Sequence, residues 1–116
     1  MQNELFIAAL ESAFPTIDGW RQLKPESIDG IEVDQVLYQP GGKTVLVLQM
    51  DDAIVTQSDL KLAVHIKDVY EAKSVRKATV LLVYNGLLMR PVNVPDDIRI
   101  MNVTVDGPTP NQTSIN

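Results

Sequence analysis

The order of apolar and polar residues predicts a helix and then a short strand at the start of the chain. Over residues 3–13 apolar side chains recur at helical spacing, which is typical of an amphipathic helix. The helix should end at Phe14, because a proline follows and pushes this residue out of the α region. Residues 20–23 then predict a short edge strand, while residues 24–27 and 29–30 have the composition of loops.

A β-hairpin is predicted next. Residues 31–38 read as a strand, the sequence Gln-Pro-Gly-Gly-Lys at 39–43 is a strong turn signal, and residues 44–50 are almost all apolar. A nearly continuous apolar run is typical of a central strand that is covered on both faces. Because the connecting loop is short, the two strands are expected to be antiparallel. One face of the first strand is assigned to Ile31, Val33 and Leu37.

The second half of the chain predicts a strand–helix–strand crossover. From residue 57 to residue 73 the apolar period becomes helical, with Thr56 or Ser58 as the candidate N-cap, and residues 78–84 form another buried strand. Such crossovers are almost always right-handed, which makes the two flanking strands parallel. Residues 98–105 alternate again and predict the last strand. The inner face of the helix is assigned to Leu62, Ile66, Val69, Tyr70 and Lys73.

These elements predict an α/β (α+β) fold with the order α-β-β-α-β-β. A mixed central sheet of about four or five strands would lie between the two helices, with one helix on each side. Residues 1–106 are expected to form a single domain. The polar, proline-bearing residues 107–116 are expected to form a disordered tail.

Composition narrows the chemistry. Hydrophobic residues make up 45% of the chain and aromatic residues only 5%, so the core must be built mainly from Val, Leu, Ile and Ala. The absence of cysteine excludes disulfides, thiolate metal sites and cysteine nucleophiles. No segment approaches the ~18 apolar residues of a membrane span, and the first residues do not resemble a signal peptide. We therefore expect a cytoplasmic protein that does not associate with membranes.

The acidic character of the chain bears on its partners. Its formal net charge is −5 and its pI is near 4.6. Proteins that bind DNA without sequence preference use Lys and Arg to displace phosphate counterions, so this balance disfavours a nucleic-acid partner. An acidic surface can instead bind a basic protein, or can simply keep the chain soluble, and both interpretations stay open.

A short pattern in the predicted hairpin carries candidate chemistry. The sequence Gly30-Ile-Glu-Val-Asp34 leads into the first strand of the hairpin, and the second strand ends Val-Leu-Gln49-Met, with Asp51 directly after it. In this order of elements the pattern resembles the PD-(D/E)XK, or restriction-endonuclease-like, nuclease superfamily, in which an Asp is followed on the next strand by Glu-X-Lys. The resemblance assigns Asp34 to the metal-binding Asp, Gln49 to the Glu position and Asp51 to the Lys position.

The resemblance also implies that the active site is degraded. An active member needs anionic oxygen ligands for Mg²⁺ and a cation that orients the attacking water. Gln49 is neutral and Asp51 is negative, and the loss of one such preorganised group typically costs ~10²-fold or more in rate. Asp34 and Asp51 are left as weak candidate ligands for Mg²⁺, and no other cofactor is implied. Some members also use an acidic helix residue and a later glutamine, which Glu4 and Gln57 would match.

Residues 87–95 form the candidate interface. This link is apolar but not periodic, so it either folds over the core or forms an exposed patch that contacts a second copy or another protein. Its candidate interface side chains are Leu87, Leu88, Met89 and Val92. The single histidine, His65, is assigned to the polar face of the second helix, and no other His or Cys is present to complete a zinc site.

We expect a non-catalytic, restriction-endonuclease-like binding or assembly module that forms a homodimer or binds a protein partner. Two alternatives stay open. A metal-dependent endonuclease acting on DNA would use Asp34, Gln49 and Asp51. An acidic inhibitor or immunity-type protein would occupy a basic site on another protein.

Overall fold

A computed structural model describes residues 3–50, 53–74, 76–86 and 93–103. These residues contain two α-helices, α1 (Asn3–Ala13) and α2 (Gln57–Ser74). The strands, in chain order, are β1 (Arg21–Leu23), β2 (Ser27–Ile28), β3 (Ile31–Glu32), β4 (Gln35–Gln39), β5 (Lys43–Gln49), β6 (Thr79–Asn85) and β7 (Ile98–Val103). The predicted tail at 107–116 lies outside the described residues, and no helix in the described part has the length and hydropathy of a membrane span.

The main sheet has five strands in the order β1-β4-β5-β6-β7. Strand β4 is antiparallel to both of its neighbours, β1 and β5, whereas β5, β6 and β7 run parallel to one another. The predicted mixed sheet, the hairpin and the parallel crossover through α2 are therefore confirmed. Parallel alignment means that β5, β6 and β7 all end at one edge of the sheet, which is called the carboxyl edge below.

Each face of the sheet is covered by a separate apolar layer. Alternating side chains of one strand point to opposite faces, so the apolar run in β5 supplies both layers. The α2 side buries Val36, Leu46, Leu48, Val80 and Leu82 with Leu60, Ala63, Ile66 and Tyr70 of the helix. The α1 side buries Leu37, Val45, Val47, Leu81 and Val83 beneath Phe6 and Leu10.

The strand predicted over residues 31–38 is interrupted, which corrects the sequence interpretation. β3 ends at Glu32 and β4 begins at Gln35, while the N–H of Val33 donates to Glu26 O at 2.9 Å. Because the chain changes partners here, Val33 packs on the α2 side and Leu37 on the α1 side. The prediction that Ile31, Val33 and Leu37 share a face is wrong for this reason.

Residues 29–30 form a hairpin turn rather than a plain loop. β2 and β3 pair across them in a small second sheet, with Ile28 opposite Ile31. Asp29 has φ 51° and Gly30 has φ 78°, so both turn residues adopt the left-handed region. This geometry is typical of a two-residue turn, for which Asp-Gly is a favoured sequence.

The inner face of α2 differs by a partial rotation from the predicted one. The buried residues of the helix are Asp59, Leu60, Ala63, Ile66 and Tyr70. Leu62 and Val69 are only half-buried at the margin of the same layer, and Lys73 is exposed. The buried stripe includes a carboxylate at the start of the helix, Asp59, which hydropathy would place in solvent.

Candidate functional site at the carboxyl edge

Asp34 lies in the break between β3 and β4 and contacts the end of β5. Its Oδ2 atom accepts a hydrogen bond from the main-chain N–H of Gln49 at 2.7 Å. Its own N–H donates to Val47 O at 3.0 Å. The structure therefore brings together the two positions that the motif placed on neighbouring strands.

The contact follows from the way the chain leaves the ladder. In the register of β4 and β5, Gln35 lies opposite Val47, so a continued ladder would place Val33 opposite Gln49. Val33 instead pairs with Glu26, beside the β2–β3 hairpin. The β4–β5 ladder leaves the Gln49 N–H without a main-chain partner, and the carboxylate of Asp34 accepts it instead. This hydrogen bond is a sufficient structural reason for an acid at position 34.

The side chain of Gln49 points to the α1 face of the sheet, because strand alternation places it with Val45 and Val47. It is half-buried at the end of β5. The next residue, Met50, donates its N–H to Val83 O at 2.8 Å and continues the pairing with β6. At the described end of β5 the edge thus presents the Asp34 carboxylate and the Gln49 carboxamide.

The other residues of the predicted site are not joined to this pair. Glu4 is exposed on the first turn of α1, and Gln57 is exposed on the first turn of α2, where it lines a cavity of about 370 Å³. Among the described residues no hydrogen bond or ion pair links either side chain to Asp34 or Gln49. Asp51 lies outside the described residues.

The described part of the carboxyl edge does not gather an acidic cluster around Asp34. Across residues 3–50, 53–74, 76–86 and 93–103, no cluster of three or more His, Asp or Glu side chains is placed to hold a metal ion. One oxygen of Asp34 already accepts the Gln49 N–H. The weak Mg²⁺ site assigned to Asp34 and Asp51 stays a prediction, because Asp51 is not described.

A buried carboxylate near the same edge was missed by the sequence interpretation. Asp59 is 8% exposed, and its Oδ2 atom accepts the Tyr84 O–H at 2.9 Å and the Thr56 N–H at 3.2 Å. In return, Thr56 Oγ1 accepts the N–H of Asp59 at 3.1 Å. This reciprocal pair is a capping box, and the Thr-X-X-Asp spacing before an apolar run is its sequence signal. Of the two predicted candidates, Thr56 and Ser58, Thr56 is therefore the N-cap of α2.

His65 is exposed on α2, as predicted, and ties the helix to the small hairpin. Its Nε2 atom lies 2.6 Å from Oδ2 of Asp29, one of the two turn residues. The predicted interface side chains Leu87, Leu88, Met89 and Val92 lie outside the described residues.

Comparison with known proteins supports the architecture. No family model and no curated protein matches the sequence. Among solved structures, the chain is similar to the crystal structure of a repair endonuclease from Pyrococcus abyssi, with a TM-score of 0.61 and 11% sequence identity. The similarity covers 90% of this chain but only 47% of the endonuclease chain, so this protein spans about half of that length. At this identity the similarity shows the fold, which is nuclease-like.

Proposed function

We propose that the chain is a non-catalytic binding or assembly module built on a nuclease-like fold. The observation that carries the proposal is the hydrogen bond between the Asp34 carboxylate and the Gln49 main-chain N–H, beside a neutral Gln49 side chain. The acid that the motif would assign to a metal has a structural partner. The neighbouring position that should supply a second anionic ligand is a carboxamide.

Electrostatics support the same conclusion. A phosphodiesterase of this fold would have to bind a divalent cation and a phosphate group at the carboxyl edge. Binding of the cation requires negative charge there, and binding of the phosphate requires positive charge. A carboxamide oxygen carries no net charge to hold the cation. The sequence then places Asp51, an anion, where a lysine would offset the phosphate charge. The net charge of −5 adds long-range repulsion of nucleic acid.

The proposal is tested by a nuclease assay with a matched variant. We expect wild-type protein to leave plasmid and branched DNA intact in Mg²⁺ and in Mn²⁺, with no more cleavage than the Asp34→Asn variant gives. This substitution removes the charge but keeps an oxygen that can accept the Gln49 N–H, so the variant should fold like the wild type. Thermal melting of both proteins checks this requirement.

One result would overturn the proposal. If wild-type protein cuts DNA in a divalent-ion-dependent way and the Asp34→Asn variant does not, the metal-dependent endonuclease alternative is correct. Cleavage that is equal in both proteins indicates a contaminating nuclease, which a second purification on a different resin would remove. The assay should therefore be read only after such a background has been eliminated.

A further inference from the structure

A cleft of about 790 Å³ lies on the sheet at the end opposite to the carboxyl edge. Its lining includes the first residues of β5, β6 and β7, which are parallel and so begin together. Helix α1 stops at Ala13, and the chain turns away through Phe14 and Trp20, which form one wall. The volume is within the range of small-molecule sites, which is about 300–1,000 Å³.

The floor of the cleft is apolar. It is formed by Val45, Leu81 and Met101, one from each of the three parallel strands. The wall adds an aromatic pair, since the rings of Phe14 and Trp20 meet edge to face with centroids 4.9 Å apart and an interplanar angle of 75°. Both aromatic side chains are half-buried. A ligand in the cleft would therefore remove apolar surface from water.

The rim of the cleft is cationic. Lys43, Lys77 and Arg99 line it and are exposed, while Asp97 is the single acid among the lining residues that the structure describes. Strand alternation places Lys43 and Arg99 on the same face as the apolar floor. None of the three cations forms an ion pair within the described part of the chain. Lys77 lies within electrostatic reach of Glu71, so Lys43 and Arg99 are the two cations best placed to meet a ligand above the apolar floor.

The cationic rim contrasts with the chain as a whole, whose net charge is −5. A local cationic rim attracts an anion of small size, whereas a long polyanion would also meet the acidic remainder of the surface. An inorganic anion would leave the apolar floor unused. A fully apolar ligand would leave the cations without partners.

We infer that the cleft binds a small, freely diffusing organic anion with an apolar body. The apolar part lies on Val45, Leu81 and Met101, and the carboxylate, sulfonate or phosphate group meets Lys43 and Arg99. The inference does not rest on the function proposed for the carboxyl edge, because the two sites share no residue and lie at opposite ends of the strands.

The chain carries its own reporter for this site. Trp20 is the only tryptophan, so a change in intrinsic fluorescence reports on the wall of the cleft. Titration with decanoate below its micellar concentration should change Trp20 emission in a saturable way. Decanamide, which has the same body without the charge, should bind at least severalfold more weakly. Methyl resonances of Val45, Leu81 and Met101 should shift with decanoate in the wild-type protein.

Charge reversal provides the matched comparison. The double variant Lys43→Glu with Arg99→Glu should weaken decanoate binding about tenfold, because each exposed charge contributes a few-fold to affinity. The control, Lys24→Glu with Lys73→Glu, makes the same change in net charge at exposed positions away from the cleft and should alter binding less than twofold.

Several outcomes would overturn the inference. Equal binding of decanoate and decanamide, equal weakening by both double variants, or absence of methyl shifts at the floor would each do so. The methyl shifts are measured on wild-type protein and remain decisive even if a variant fails to fold. Retention of the protein by phosphatidylglycerol vesicles, or by a single-stranded oligonucleotide, without binding of monomeric decanoate would assign the cleft to a different occupant.

Discussion

At the scale of single residues, carboxylates in this protein hold the main chain together. Asp34 accepts a hydrogen bond from the N–H of Gln49 at 2.7 Å, and Asp59 accepts one from the N–H of Thr56 at 3.2 Å. Glu71 accepts one from the N–H of Ala78 at 2.8 Å. Each contact lies where a strand or helix begins or ends, because the regular main-chain hydrogen bonds stop there and leave an N–H group without a main-chain partner. The positions of these three acids are therefore explained by their structural contacts.

Glu71 gives a pH-dependent prediction. The Ala78 N–H and the Lys67 ammonium, which lies 3.1 Å from Oε1, together hold the pKa of this carboxyl below its ordinary value of 4.5, against an opposing effect of burial. A group whose pKa is lowered by folding stabilises the protein above its unfolded-state pKa, and this contribution is lost as the pH falls through the folded-state pKa. We expect Glu71→Gln to destabilise the protein at pH 7 by about 1 kcal/mol.

The same variant should lose its effect in acid. Glutamine resembles the protonated acid and can still accept the Ala78 N–H, so the urea midpoints of wild type and Glu71→Gln should converge as the pH falls through the folded-state pKa of Glu71. Glu11 is an exposed glutamate on α1 without an ion pair among the described residues, and Glu11→Gln is the control. A gap between wild type and Glu71→Gln that stays constant with pH would contradict this account.

At the scale of elements, the capping network joins the start of α2 to the end of β6. Tyr84 is fully buried, and its hydroxyl donates to Asp59 inside the α2 layer. We expect Tyr84→Phe to destabilise the protein by about 1–3 kcal/mol, because the buried carboxylate would lose a donor that water cannot replace. Chemical denaturation measures the change. Tyr70→Phe is the control, since it removes the same atom from a buried tyrosine of α2; equal losses would show that the Asp59 contact contributes nothing.

An element could be predicted from the sequence when the pattern of apolar residues within that element determines its structure. The helical period of α1 and the apolar runs of β5 and β6 are strong because every residue contributes to them. The break at residues 33–34 was missed because alternation records which face a side chain takes, and it carries no information about the partner of the main chain. The rotated face of α2 was missed because hydropathy assigns Asp59 to solvent.

The candidate site could also be predicted only in part from the sequence. The proximity of Asp34 and Gln49 could be predicted, since a hairpin with a short turn fixes which residues of its two strands lie side by side. The contact itself could not, because it depends on a departure from the ladder that the β2–β3 hairpin imposes. The cleft at the other end was also not predicted. Its lining comes from separate segments of the chain, namely residues 13–14, 20, 42–45, 77–79, 81, 94 and 97–101.

At the scale of the whole molecule, the parallel half of the sheet has two chemically different ends. The carboxyl edge carries Asp34 and lies near Asp59, while Lys43, Lys77 and Arg99 gather where the same strands begin. Parallel strands produce this separation directly, because all of them start on one side and end on the other. Two binding events could therefore occur without competing for the same surface.

Assembly of the whole molecule gives the last prediction. The apolar sequence of residues 87–95 predicts a homodimer interface, and Leu88→Asp or Met89→Asp should then convert a dimer into a monomer. Light scattering after size-exclusion chromatography measures the mass. Ile17→Asp is the control, because Ile17 is 91% exposed and apolar at a distant point of the sequence. A wild-type chain that elutes as a monomer at micromolar concentration would contradict the proposal.

The hydrogen bond from the Gln49 amide to Asp34 also affects how related sequences should be interpreted. An aspartate that supports the backbone would be retained by selection for folding after any enzymatic role had disappeared. A pattern search that counts this aspartate as half of a nuclease signature would then score inactive chains as enzymes. The position of Gln49 on the next strand is more informative, because an acid there can bind a metal ion as an anion and an amide cannot. It should therefore separate active nucleases from inactive relatives better than the aspartate does.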